Sequence, residues 1–175
     1  MLASVSKDLR IYDCHTDPPE LRFRARCGDF QDDLGCISWN HTGQVVAVAG
    51  TKAQISLVQS SNGQTLSTIP FNAEESFQGS VKSVCFSNNS RYITTSTYNL
   101  LKIWDLKRRN LKATLGQGNR GNITCVNMVS TGDLVAGDDN GMIRIWDVKV
   151  GASHQDIMVL PGYDDNTSPI GVSVT

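Results

Sequence analysis

The sequence predicts an all-β protein, a β-propeller of about four blades' worth. Three observations predict it. A short phrase recurs, Lys102-Ile103-Trp104-Asp105-Leu106-Lys107 and Arg144-Ile145-Trp146-Asp147-Val148-Lys149, with weaker echoes at Arg10-Ile11-Tyr12-Asp13 and Ser56-Leu57-Val58-Gln59. The marked positions 12, 58, 104 and 146 are 46, 46 and 42 residues apart, which is the period of a four-stranded blade. Between the phrases apolar residues alternate in short runs broken by turn residues, and no segment sustains a 3.6-residue period.

The strands follow in order. Residues 1–26 supply the second, third and fourth strands of a partial unit, and complete units are expected over 34–71, 80–117 and 122–160. The third is the clearest. Val81 to Phe86 reads as an inner strand, Ser87-Asn88-Asn89-Ser90 as a turn, and Arg91 to Thr97, rich in β-branched residues, as the second strand. Leu100 to Leu106 is the third strand, Lys107 to Asn110 a turn, and Leu111 to Leu115 the outer strand. Cys36-Ile37-Ser38-Trp39, Ser83-Val84-Cys85-Phe86 and Cys125-Val126-Asn127-Met128 align as first strands, and Gly43 and Gly132 end the following turns, where φ > 0 is needed. Residues 168–175 read as a first strand alone. Complementary ends of this kind close propeller rings by leaving no sheet edge open.

Composition agrees with a globular chain of 175 residues, 39% hydrophobic and 19% charged. A net charge of −1 gives no bulk drive toward nucleic acid or anionic membrane. No run approaches the ~20 apolar residues of a membrane span, and Lys7, Asp8 and Arg10 break the start of the chain before a signal peptide's apolar block could form. A cytoplasmic protein is expected, without membrane insertion, nucleic acid or small-molecule substrate. Five cysteines, an odd number with no Cys-x-x-Cys pair, read as free thiols, with Cys36, Cys85 and Cys125 inside apolar strand patterns.

The two Ile-Trp-Asp phrases, with their period and strand alternation, resemble the WD-repeat β-propeller family over nearly the whole chain. The resemblance implies a partial ring, since members usually have about seven blades, a non-catalytic scaffold for protein partners and, in each ideal blade, a buried tetrad of His, Ser or Thr, a turn Asp and the Trp. Here Tyr98 and Asn140 stand at the turn Asp position, and Phe30, Phe77 and Asn119 at the His position, so the blades are divergent. The order of units, an early one without Trp-Asp followed by a strong one, is similar to the N-terminal propeller of the γ-tubulin-recruiting WD-repeat family of centrosomes and spindles. That similarity implies a targeting or adaptor module in microtubule nucleation, with the γ-tubulin complex or other centrosomal proteins as partners. The alternative within the class is an adaptor of another assembly, such as a ubiquitin-ligase receptor or a trafficking coat.

Tyr12, Trp104 and Trp146, with Asp13, Asp105 and Asp147 after them, are expected to build the blades. His15, His41 and His154 fall in different turns, with no nucleophile elbow and no His-x-x-x-His spacing, so no catalytic residue, metal or cofactor is assigned. A metal-dependent propeller enzyme would repeat His, Asp or Glu at the starts of inner strands, where Leu34, Val81 and Ile123 stand. Gly116-Gln117-Gly118-Asn119-Arg120-Gly121 spells a phosphate-loop pattern but leads into a strand, so it reads as a loop between blades. Candidate partner-binding residues are the acidic set Asp29, Asp32, Asp33, Glu74, Glu75, Asp164 and Asp165 on the connections between units, and Lys107, Arg108 and Arg109 on the opposite face. Arg22, Arg24 and Arg26 alternate with Leu21, Phe23 and Ala25 as an outer strand with one wet face.

Overall fold

The computed structural model describes residues 1–25, 34–51, 54–70, 80–116 and 121–147, and the strand path of 152–159. Every regular element among them is a β-strand, and the strands form four antiparallel sheets in two compact units, Met1–Val81 and Lys82–Thr175.

The first unit holds a three-stranded sheet of β1 (Leu2–Val5), β2 (Leu9–Asp13) and β3 (Glu20–Ala25). Beside it in sequence is a four-stranded sheet of β4 (Leu34–Trp39), β5 (Val45–Gly50), β6 (Gln54–Gln59) and β7 (Thr65–Pro70). Leu9, Ile11, Ala25, Val46, Val48 and Val58 form its buried core. Burying an aliphatic side chain of this kind stabilises by roughly 1.5–3 kcal/mol, so the alternation that fills the core also holds it together.

The second unit holds β8 (Ser83–Phe86), β9 (Tyr92–Thr97), β10 (Leu100–Asp105) and β11 (Asn110–Leu115) in one sheet, and β12 (Ile123–Met128), β13 (Leu134–Asp138), β14 (Met142–Asp147) and β15 (Ala152–Val159) in the other. Leu101, Ile103, Leu115, Ile123, Val126, Leu134 and Trp146 are among the residues of its core. The inner strand expected from Val81 begins at Ser83 instead. Val81 donates its N–H to the Gly50 carbonyl at 2.9 Å and so leaves the ladder that the strand would have joined.

Register confirms the equivalence of the marked positions. Tyr12 lies opposite Leu2, Val58 opposite Val46, Trp104 opposite Ile93 and Trp146 opposite Leu134. On its other side each third strand meets the outer strand with a register shift at the same step, just before the marked residue. At that step the outer strand carries a surplus residue, Arg22, Leu66, Lys112 and His154 in the four sheets, and the fourth sheet has a second shift between Met142 and Ile143 that leaves Met158 over as well.

The turns between first and second strands repeat too. Gly43, Ser90 and Gly132 adopt φ of 70°, 53° and 94°. Each donates its N–H to the carbonyl three residues earlier, in Asn40, Ser87 and Val129. Glycine adopts this left-handed backbone without steric cost, and Ser90 does so despite its Cβ.

Candidate functional site

In the third sheet the chain turns at Leu106–Arg109, and the acid at the end of β10 builds that turn. Asp105 Oδ1 accepts the N–H groups of Lys107 and Arg108 at 2.9 and 3.0 Å, and its carbonyl accepts the Arg109 N–H at 2.7 Å. These bonds use the short Asp side chain to mimic a backbone turn. The Asp105 carboxyl is held below its ordinary value, first by the Arg108 N–H, then by the Lys107 N–H and the charges of Arg91 and Arg108, against the opposing effect of burial. Asp105 is 1% exposed, and its Oδ2 faces Arg91 at 3.6 Å and Arg108 at 3.9 Å.

This turn and the Ser87–Arg91 turn lie at one end of the sheet, tied by the Leu106 N–H donating to the Arg91 carbonyl at 3.0 Å. Lys107, Arg108, Arg109, Arg91 and Lys112 are all exposed there. The Tyr92 ring forms a half-buried floor, with Lys112 Nζ 4.1 Å and the Arg91 guanidinium 5.2 Å from its centroid. Tyr98 and Asn99, and the exit after Leu115, lie at the opposite end of the same antiparallel sheet.

The other named residues are placed as follows. Trp104 is buried on β10 and donates its indole N–H to Thr95 Oγ1 at 3.0 Å, so a Trp–Thr link of the kind the tetrad would make is present. Trp146 is 1% exposed on β14, and among the described residues its Nε1 meets no acceptor. The register explains the difference. Thr95 faces Lys102, two residues before Trp104, while the matching place opposite Arg144, two before Trp146, is held by Ala136. Tyr12 is half-buried, and Asp13 Oδ1 accepts the His15 N–H at 3.0 Å. Asp147 ends β14.

The expectation that Asn140 replaces the turn Asp of the fourth sheet requires a correction. The residue that anchors the turn after β13 is Asp138, 2% exposed, which the sequence reading did not single out. Its Oδ1 accepts the N–H groups of Asn140 and Met142, both at 3.0 Å, and its Oδ2 accepts from Arg144 at 2.7 Å. Asp139 beside it holds the Asn122 N–H and side-chain amide at 2.7 Å each. The connection from β13 to β14 is one residue longer than that from β9 to β10, which moves the anchor off the expected position. A signal existed in Gly121. A Cβ there would lie 2.9 Å from the Asp138 carboxylate and 2.7 Å from the Asn140 amide, so glycine is needed for the close approach. Gly121 and Asn122 lead into β12 as expected, and residues 117–120 lie outside the described residues.

Arg22 and Arg24 are exposed but paired, Arg22 with Asp13 at 3.3 Å and Arg24 with Asp8 at 3.0 Å, while Arg10 takes the other Asp8 oxygen at 2.9 Å. Leu21 departs from the alternation, being 46% exposed. Asp29, Asp32, Asp33, Glu74, Glu75, Asp164 and Asp165 lie outside the described residues, as do Arg26 and the strand expected over 168–175. Cys85 and Cys125 are buried and Cys36 half-buried, all as free thiols, and burial pushes the Cys36 and Cys85 thiols up to about 12. Among the described residues no three His, Cys, Asp or Glu side chains are grouped to hold a metal ion, and no helix is long and apolar enough to cross a membrane.

Four antiparallel sheets that repeat one strand order and one register shift, three of them with the same turn between first and second strands, define a β-propeller segment. Residues 25–89 match the model of the anaphase-promoting complex subunit 4 WD40 domain, and residues 109–147 match the model of the WD domain, G-beta repeat. Both are WD-repeat models, and they support a WD-repeat family for this chain. No curated protein matches it.

Proposed function

We propose that the chain is a non-catalytic scaffold that presents rigid turns to protein partners. One observation carries this reading. The side chains that make up the recurring phrase are used internally, Trp104 and Trp146 in packing and Asp105 in capping its own turn, while the turns they hold differ from sheet to sheet. Turns on a stiff frame suit recognition because the frame fixes their positions. The test is affinity capture on the tagged chain followed by chemical cross-linking. Partners cross-linked to the turns support the reading, and turnover of a substrate with no captured partner overturns it.

The finer reading is a targeting or adaptor module in centrosome and spindle microtubule nucleation, acting in the cytoplasm, and it rests on the sequence resemblance alone. Co-purification with γ-tubulin is its test. A second reading, an adaptor of another assembly, draws support from the match of residues 25–89 to a domain of a complex subunit. Recovery of the chain in a multi-subunit complex lacking γ-tubulin would decide for this second reading.

A further inference from the structure

The basic turn has a charge that its architecture does not require. Residues 80–116 contain seven Lys and Arg against one Asp, a net of +6, so with the chain at −1 the remaining residues carry −7. Five of the seven cations stand at one end of the sheet, around Tyr92. The single acid, Asp105, is buried and already holds two turn N–H groups. Among the described residues, neither Lys107 nor Arg109 meets a carboxylate.

The second sheet builds the same turn from neutral residues. Ser60 donates its N–H to the Gln44 carbonyl at 2.9 Å, as Leu106 does to Arg91, and Gly63 donates to the Gln59 carbonyl at 2.9 Å, as Arg109 does to Asp105. Ser60-Ser61-Asn62-Gly63 thus replaces Leu106-Lys107-Arg108-Arg109 with these two backbone hydrogen bonds kept. Arg109 even occupies, at φ 55°, the left-handed place that Gly63 fills at φ 74°. A bulky residue held there against its preference points to a role other than folding.

We infer that Lys107, Arg108 and Arg109, with Arg91 and Lys112 over Tyr92, form the docking surface for a short acidic segment of a protein partner. This deepens the scaffold reading and rests on it. Carboxylates of such a segment would meet guanidinium groups fit for two-point contact and ammonium groups fit for point contact. The charge balance selects this occupant. A nucleic acid or an anionic membrane is drawn by charge spread over a whole chain, which here nets only −1, whereas a short peptide needs no more than the patch itself.

The experiment uses the full chain and a fluorescent Glu-rich peptide of about eight residues, followed by anisotropy at low and physiological salt. Binding that weakens with salt is expected, together with an about tenfold or greater loss in the Lys107→Glu, Arg108→Glu, Arg109→Glu variant. The variant Lys107→Ser, Arg108→Asn, Arg109→Gly, which copies the neutral turn of the second sheet, should also lose binding. Lys82→Glu, at the far end of the same sheet, should bind as the native chain does. Equal binding by all variants overturns the inference, as does tighter, patch-dependent binding of a single-stranded oligonucleotide or of phosphatidylserine vesicles. Capture of partners separates the two levels: if the native chain and the turn variant retain the same partners, the patch assignment fails and the scaffold reading stands. If the native chain retains none, the scaffold reading itself fails.

Discussion

Trp104 donates its indole N–H to the Thr95 hydroxyl across 3.0 Å, a bond wholly inside the third sheet. Thr95→Val keeps the shape and removes the acceptor, and should destabilise by about 1–3 kcal/mol in urea unfolding followed by tryptophan fluorescence. The fourth sheet offers the converse. Ala136 holds the equivalent place and the Trp146 N–H meets no acceptor among the described residues. Ala136→Ser should therefore stabilise by roughly 1 kcal/mol, and Ala136→Val, which brings no oxygen, should not.

The Asp138–Arg144 pair lies in the interior, with Arg144 only 15% exposed. Asp138→Ala takes the carboxylate from a half-buried guanidinium and from two turn N–H groups, and should cost about 1–3 kcal/mol. Gly121→Ala should weaken the same turn, because its Cβ would press on that carboxylate. Both variants should lower the unfolding midpoint of the second unit, and a midpoint unchanged in Gly121→Ala would refute the packing account.

Arg109→Gly should stabilise the fold by ~1 kcal/mol, since glycine adopts the φ of 55° freely. Ser90→Gly, at φ 53°, should act in the same direction. Thermal unfolding reads both. The Arg109 variant should gain stability while losing affinity for the acidic peptide, the trade expected where a residue serves binding at the expense of the backbone.

The Asp105 carboxyl sits below its ordinary value of 3.8, so it binds its proton more weakly in the folded chain than in the unfolded one. The stability it contributes is complete above that ordinary value and is lost as the pH falls through the lower folded-state one. Urea midpoints measured downward from about pH 5 should drop in the native chain, and Asp105→Asn should flatten part of that drop.

Thiol labelling should separate the cysteines by position. Cys14 is exposed, while burial pushes the Cys85 thiol up to about 12 and so holds its reactive thiolate scarce. Peptide mapping after brief iodoacetamide treatment should find Cys14 modified and Cys85 intact until denaturant is added.

The repeat itself was legible in the sequence because Trp104 and Trp146 mark the same step of the same strand, and even Val58 and Tyr12 fall into register with them. The turn glycines Gly43 and Gly132 were legible for a similar reason, a backbone need that few residues meet. Asp138 was not. Its importance arises from a turn one residue longer than its counterpart and from Arg144 reaching back to it, and neither leaves a pattern at fixed spacing. The basic turn was visible as Lys107-Arg108-Arg109, but Arg91 and Lys112 join it only through strand pairing and the Tyr92 ring.

The surplus residue of each outer strand has a wider meaning. Arg22, Leu66, Lys112 and His154 stand where the ladder skips a count, so the register assigns them no opposite residue. A repeat protein risks presenting the same surface at every turn of its sequence. Here each copy carries one position that can change its chemistry without disturbing the pattern that folds it. In the first three sheets that position holds a guanidinium, an exposed alkyl group and an ammonium, so sheets of one design bear separate identities that a partner can tell apart.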